Sequence, residues 1–357
     1  MPNNNNAVGV DIKTNRRRKG LNPRFIVPVL VLIAVVIYLF FQGYPTESLH
    51  LYYQVTMDTS VELRFVSGSS QDAEQIRDNV FAEMERLEAL FSRSLEGSNV
   101  DMINRSAGSR SATVNGEVLY VALRAVDYAV LSDGAFDPTI APLIDLWGFL
   151  GHEYRVPSFA DLEISLPLVD YTVLEIDREL STVYLPVTGM ALELGGIAKG
   201  YIVDQTMQVL LAEGIEHAYV NAGGDIGLIG TKSDGSPWRI GVRHPRDANK
   251  IIAVLSASGG AVVTSGDYER AFIEAGISYH HILNPKTGMP ARELTSVTII
   301  AKTAIEADAL STTIFVLGPL KGMALIEQLT GVEGILITPD LQVLISSGLQ
   351  GLVELEL

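Results

Sequence analysis

Apolar and polar positions divide the chain into unlike parts. Residues 25–41, FIVPVLVLIAVVIYLFF, are uncharged and almost wholly apolar. The run is about long enough to cross a bilayer as one helix, with Tyr44 near the far interface. From Ser48 onward the pattern is that of a folded body. Leu49–Val55 and Val61–Val66 predict strands, joined by a turn at Met57-Asp58-Thr59. Asp72–Phe91 sets Ile76, Val80, Met84, Leu87, Leu90 and Phe91 at helical spacing, and Glu117–Leu131 predicts a second amphipathic helix.

Residues 151–170 read as loop, and Tyr171–Ile176 with Thr182–Leu185 as a hairpin. A helix opens with Glu193–Gly200 and runs to about Ala212. Strands are predicted at His217–Val220, Ile226–Ile229, Trp238–Val242 and Ile251–Leu255. A late helix covers Ala324–Leu329, and a hairpin of Ile335–Thr338 and Val343–Ser346 closes the chain. Strands occur both in meanders and beside helices, so an α+β class fits better than alternating α/β.

Charge sharpens this division. Residues 1–24 hold six basic side chains against Asp11, a net of +5, so the remainder of this −16 chain carries −21. The Arg16–Lys19 cluster flanks the apolar run on one side only. The expectation is a cytoplasmic tail (1–24), a transmembrane anchor (25–44) and an extracytoplasmic body (48–357), single-pass in the inner membrane. A cleaved signal peptide is the rival, but no small-x-small site follows the run. So acidic a body excludes electrostatic tracking of nucleic acid. The absence of cysteine excludes disulfides, thiolate metal sites and a lipid-modified cysteine.

The candidate chemistry gathers between Thr264 and Thr313. TSGDYERAF is followed by YHHILNPKTGMPAR and then AIEADALSTT. Asp308 and Thr312 are four apart and share a face if that run is helical, offering hard oxygen ligands for magnesium or calcium. His280 and His281 supply a base candidate, and Asn284–Gly288 reads as a tight turn. The bland alternative is a structural histidine pair and a surface aspartate. Upstream, Gly195 and Gly196 at a helix start permit close backbone approach and anion binding, with Lys199 adding charge; a packing turn is the alternative. The segment fails both the Walker and the G-x-G-x-x-G patterns. Asn221–Asp225 is a glycine turn after a strand. Phe136-Asp137-Pro138-Thr139 supplies an apolar wall and a carboxylate, or a helix cap. Trp147 and Phe149 read as core.

Taken in order, MDT, FSRS…N, FDPT…PL…LWGF, LGGIAKGY…D, NAGGD, TSGDYER, HHILNPKTG and EADALSTT resemble the FAD:protein FMN transferases, the ApbE family. The likeness covers residues from about 50 to 350. It implies an ApbE-like mixed sheet core with flanking helices. It implies Mg²⁺-dependent cleavage of FAD, with FMN transferred to a Thr or Ser hydroxyl of an acceptor flavoprotein and AMP released. The acceptor would be an extracytoplasmic domain, such as a subunit of a membrane redox complex.

The resemblance places Asp308 and Thr312 as metal ligands, with Ser311 at a further ligand position and Gly196 giving its carbonyl. It places Met57, Ser94, Ala135, Phe136, Asp137, Glu193, Lys199 and Leu283 at flavin-site positions. His281 becomes the general base, expected to titrate near neutrality. The chain departs from the family pattern at Asp58, Ser94 and Lys199. The rival readings are an FAD pyrophosphatase yielding FMN and AMP, and a membrane-tethered flavin-binding protein without chemistry.

Overall fold

Eight strands form one sheet whose spatial order is their order in the chain. They are β1 (Ser48–Thr56), β2 (Thr59–Ser67), β3 (Ala218–Ala222), β4 (Asp225–Ile229), β5 (Gly260–Gly266), β6 (Ser296–Ala301), β7 (Glu333–Ile337) and β8 (Val343–Ile345). Every neighbouring pair is antiparallel. The α+β class therefore holds, but the sheet is not mixed. Each long excursion between neighbours re-enters the sheet in the opposite direction, so no parallel crossover arises. This computed structural model describes Leu32, Ile33, residues 48–151 and residues 153–356. The readings of the tail and the anchor lie outside the described residues, except that Leu32 and Ile33 are helical.

Period-two alternation gives the sheet two buried faces. Val61, Leu63, Phe65, Val220, Val263, Val297 and Ile299 join the larger core beneath the helices. Ile226, Leu228, Val262, Ile335 and Ile337 face a smaller core with Trp238, Ile240, Val242 and Leu255. That second layer is a three-stranded sheet of Trp238–Arg243, Ile251–Ala257 and Val353–Leu355. The Val353–Leu355 strand was not foreseen in the sequence.

Three helices cover the first face. Ser70–Phe91 is capped by Ser69, which accepts from the Asp72 N–H, and buries Ile76, Val80, Met84 and Leu87 as their spacing predicts. Ala198–Ala212 starts later than expected, because Gly195 to Ile197 form a turn before it. Ala304–Ile326 is kinked at Gly318 (φ 79°) ahead of Pro319, and of the predicted 324–329 helix only residues 324–326 are helical, as the end of its second segment. It is long and apolar enough to span a membrane, yet half of it is buried in this body, so it is the central core helix.

Residues 151–170 are not all loop. Phe159–Ser165 is a helix started by a capping box, with Ser158 and Asp161 exchanging bonds. The predicted 171–185 hairpin is shorter, pairing Glu175–Asp177 with Thr182–Tyr184 behind a 3-10 turn at Tyr171–Val173.

Candidate functional site

The 198–212 and 304–326 helices cross closely enough to exclude a side chain at Gly200. A Cβ there would lie 2.3 Å from the Ala304 carbonyl oxygen and 2.8 Å from Asp308 Cβ. The closeness lets the Gly200 N–H donate to Asp308 Oδ2 at 2.9 Å. One turn further along, Asp204 caps the other helix: its carboxylate accepts from the N–H groups of Ala304 (2.7 Å) and Ile305 (2.9 Å). Asp308 is thus aimed by the Gly200 N–H, while Asp204 fixes the start of the helix that carries it. The role of Gly200 was not read from the sequence. Its signal was a glycine inside a helical run, where alanine is favoured by about 1 kcal/mol unless packing forbids it.

Asp308 faces a second buried carboxylate. Asp225 opens β4 just after the Gly223-Gly224 turn and is 1% exposed. Its Oδ1 accepts from Lys199 Nζ at 2.7 Å. Its Oδ2 is buried without a donor, on the side of Asp308, where a shared proton or a cation would satisfy it. Burial raises the Asp225 carboxyl above its usual range, against the pull of Lys199. Burial and then the Asp225 charge push Asp308 well above its usual range. Burial pulls Lys199 down, but Asp225 and Asp308 outweigh it and hold the ammonium above its ordinary value. Two carboxylates share one lysine here, an arrangement with excess negative charge and a ready demand for a cation.

The two histidines have opposite fates, and strand alternation is the reason. Ala271–Glu274 and Ile277–His280 form a separate hairpin, extended by the His281 N–H donating to the Arg270 carbonyl at 3.1 Å. Successive residues point to opposite faces. His280 turns into the core, 4% exposed, edge-on to Phe315, with Nε2 bonded to the Ala291 carbonyl at 2.7 Å. His281 turns the other way, edge-on to Phe149, and its Nδ1 is buried without a partner. The near-neutral titration expected of His281 is not found. Burial first, then Arg270 and His280, take it down to about 3, so the ring is neutral at physiological pH.

The remaining site residues surround this centre unevenly. Met57 and Asp58 both have positive φ (55° and 54°), the two-residue turn that joins β1 to β2. The Gly223 N–H donates to the Ser60 carbonyl, which sets that turn beside the glycine turn before Asp225. Phe136 lies against Gly196: a Cβ on the glycine would meet Phe136 Cε2 at 3.3 Å and Thr312 Oγ1 at 3.4 Å. Ala135 is half-buried beside Phe136.

Asp137 is used up within its own loop. It accepts from the Thr139 N–H and hydroxyl and from the Tyr171 N–H. Glu193 is held by Arg93 at 3.0 Å and takes the Gly195 N–H at 2.7 Å. Arg93, between the serines of FSRS, was missed; its buried guanidinium also pairs with Asp145 and so ties three segments together. Among the described residues, the Ser94 hydroxyl meets that of Ser92, at 3.2 Å. Leu283 belongs to a satellite cluster with Leu143, Trp147, Phe149 and Leu162. Trp147 is core as expected, donating to the Gly288 carbonyl at 2.7 Å. The Asn284–Gly288 turn is present, with both the Thr287 and Gly288 N–H groups on the Asn284 carbonyl.

The helix places Asp308, Ser311 and Thr312 together, as their spacing required. Ser311 is already engaged, donating to the Asp308 carbonyl at 2.9 Å and meeting Ser265 Oγ at 2.7 Å. Among the described residues no cluster of three His, Cys, Asp or Glu exists. A metal here would rely on hydroxyl and carbonyl oxygens beside the carboxylates. Asp308, the Thr312 hydroxyl, the adjoining Gly196 and the orphaned Asp225 Oδ2 form a hard oxygen set of the kind a small divalent cation takes.

Comparisons with known proteins show which family has this fold. The ApbE family model matches residues 57–336. The FAD:protein FMN transferase of Klebsiella pneumoniae (strain 342) is 35% identical over 298 residues, covering 83% of this chain and 91% of its own. That of Treponema pallidum (strain Nichols) is 34% identical, covering 76% and 79%. Among solved structures, the ApbE protein of Thermotoga maritima aligns with a TM-score of 0.79 at 36% identity, over 85% of this chain and 99% of its own. The Vibrio cholerae flavin transferase ApbE aligns with a TM-score of 0.77 at 27% identity, over 86% and 99%. With the matched region spanning nearly the whole body, this chain belongs to the ApbE family.

Proposed function

We propose that this protein transfers FMN from FAD to a Thr or Ser hydroxyl of an acceptor protein and releases AMP. The observation that carries the reading is the pairing of Asp308 and Asp225 in a buried cluster with a single lysine. Mg²⁺, held by Asp308, Thr312 and the Gly196 carbonyl, would supply neutralising charge for the diphosphate and the displacement. The protein's own groups do the rest. His281 is neutral and accepts the proton of the incoming hydroxyl. That oxygen bonds to the FMN phosphorus, and the bond to the AMP phosphate breaks with its electron pair on AMP. A ring held down to about 3 in the free protein is a weak base. Phosphate charge next to Arg270 would offset part of that depression and strengthen it. Phe136 and the partly buried Met57 give an apolar border for the flavin.

The family resemblance points to acceptors in an extracytoplasmic, membrane-bound redox complex, and residues 25–41 would serve as the tether. The Arg16–Lys19 cluster supports that orientation. The deciding experiment incubates the full chain in detergent with FAD, Mg²⁺ and a candidate acceptor domain, and reads the acceptor by mass spectrometry. An added FMN supports transfer. Free FMN and AMP with an unmodified acceptor would mean hydrolysis instead. Protease accessibility from each side of sealed vesicles tests the topology.

A further inference from the structure

A dinucleotide substrate brings two phosphates into an acidic body, and the described basic side chains near the site are nearly all committed. Lys199 is tied to Asp225, Arg93 to Asp145 and Glu193, Lys286 to Asp133. Arg243 and Arg246 pair with Glu269 and Asp267, on the strand and loop leading into the hairpin. Arg292 lies over the Tyr279 ring, 5.3 Å from its centroid. Arg270 is different. It is exposed, and no carboxylate or other partner holds its guanidinium among the described residues.

Its placement follows from register. Ala271 pairs with His280, and the next rung joins Arg270 to His281 through the 3.1 Å backbone bond. Directly opposed residues on antiparallel strands send their side chains to the same face. Arg270 therefore stands beside His281, while Glu269 and Ala271 point to the other side. A second observation agrees: the Arg270 charge is felt by both His281 and Lys199, which come from separate segments of the site.

We propose that Arg270 is the clamp for the substrate diphosphate, its planar fork bonding non-bridging phosphate oxygens beside His281. This rests on the transfer reading above. A guanidinium suits the role because it matches phosphate geometry in a bidentate fork and stays charged at every working pH. The same contact would favour FAD over flavins that lack the diphosphate.

The test titrates the full chain, in detergent with Mg²⁺, with FAD and separately with riboflavin, followed by flavin fluorescence at two salt concentrations. Arg270→Gln should weaken FAD binding by roughly 10- to 100-fold and flatten its salt dependence. Riboflavin affinity should stay within about twofold, since that ligand carries no phosphate. Arg270→Lys should recover part of the loss, and Arg292→Gln should change neither titration. Unchanged FAD affinity in Arg270→Gln, or equal loss for both flavins, overturns the assignment. A wild-type chain that binds no FAD overturns the transfer reading, and this one with it.

Discussion

The crossing of the 198–212 and 304–326 helices carries an aspartate at each end, and the two do opposite things. Both are largely buried, and burial raises the carboxyl of both. Asp204 has each oxygen on a backbone N–H, from Ala304 and Ile305, and its nearest charge is the half-buried Glu306. Asp308 has one such bond, from Gly200, and it faces Asp225 and Lys199. A carboxylate whose bonds are all made is part of the scaffold. One left short of donors, beside a like charge, is a place where a cation or a reaction is missing. Burial and pKa direction do not separate the two; satisfaction of the oxygens does.

The largest effect should come from the unsatisfied end. Asp308→Asn keeps an acceptor for the Gly200 N–H and removes the repulsion with Asp225. Folding stability should hold or rise by on the order of 1 kcal/mol, as when a strained buried charge is neutralised. FMN transfer should fall by about a thousandfold or more, because the charge that would hold the metal is gone. Urea unfolding and single-turnover transfer read the two sides. A variant that loses stability but keeps its rate would invert the comparison.

Gly200→Ala should strike both ends at once. The added methyl cannot fit 2.3 Å from the Ala304 oxygen, so the helices must part. The expected cost is about 1–3 kcal/mol in the urea midpoint. Displacing Asp308 should lower the transfer rate of the folded fraction by up to about 100-fold. A full rate with lost stability would show that Asp308 does not need its backbone tether. Asp204→Ala should be the purely structural counterpart. It leaves two helix N–H groups unpaired, costing about 1–2 kcal/mol, while the folded fraction retains its rate.

Part of this contrast was legible in the sequence and part was not. The Asp308–Thr312 spacing defined a helix face whatever the surroundings, so that pair was readable at once. The division of labour between His280 and His281 follows from period two, but only after a strand is assigned there. In the sequence Asp225 reads only as the end of a glycine turn, since its lysine lies 26 residues back and no local pattern encodes that pairing. Arg93 was hidden between two serines for the same reason, its partners Asp145 and Glu193 being distant. The alignment of β2 with β3, which sets Phe65 opposite Ala218 across a long excursion, is likewise set by packing of whole faces rather than by any turn signal. Local spacing shows what a segment offers; which distant group it meets is decided by the core.

The finest test of the contrast is the pH dependence that the satisfied aspartate brings to folding. Burial lifts Asp204 from 3.8 to about 6 in the folded chain, so between those values the folded state binds more protons than the unfolded one. Its contribution to stability is complete below about 4 and is lost as pH rises through about 6. Measured by urea unfolding, the wild type should lose about 1 kcal/mol more than Asp204→Asn between pH 5 and pH 7.5. The amide cannot titrate, and every other group is common to the two chains, so the difference isolates this carboxyl. Asp308→Asn compared in the same way would report a group coupled to Asp225 and Lys199, whose protons are shared rather than its own. Equal slopes for the wild type and Asp204→Asn would mean that the two backbone N–H bonds already cancel the burial of Asp204. The distinction between the two ends would then rest on the neighbouring charges alone.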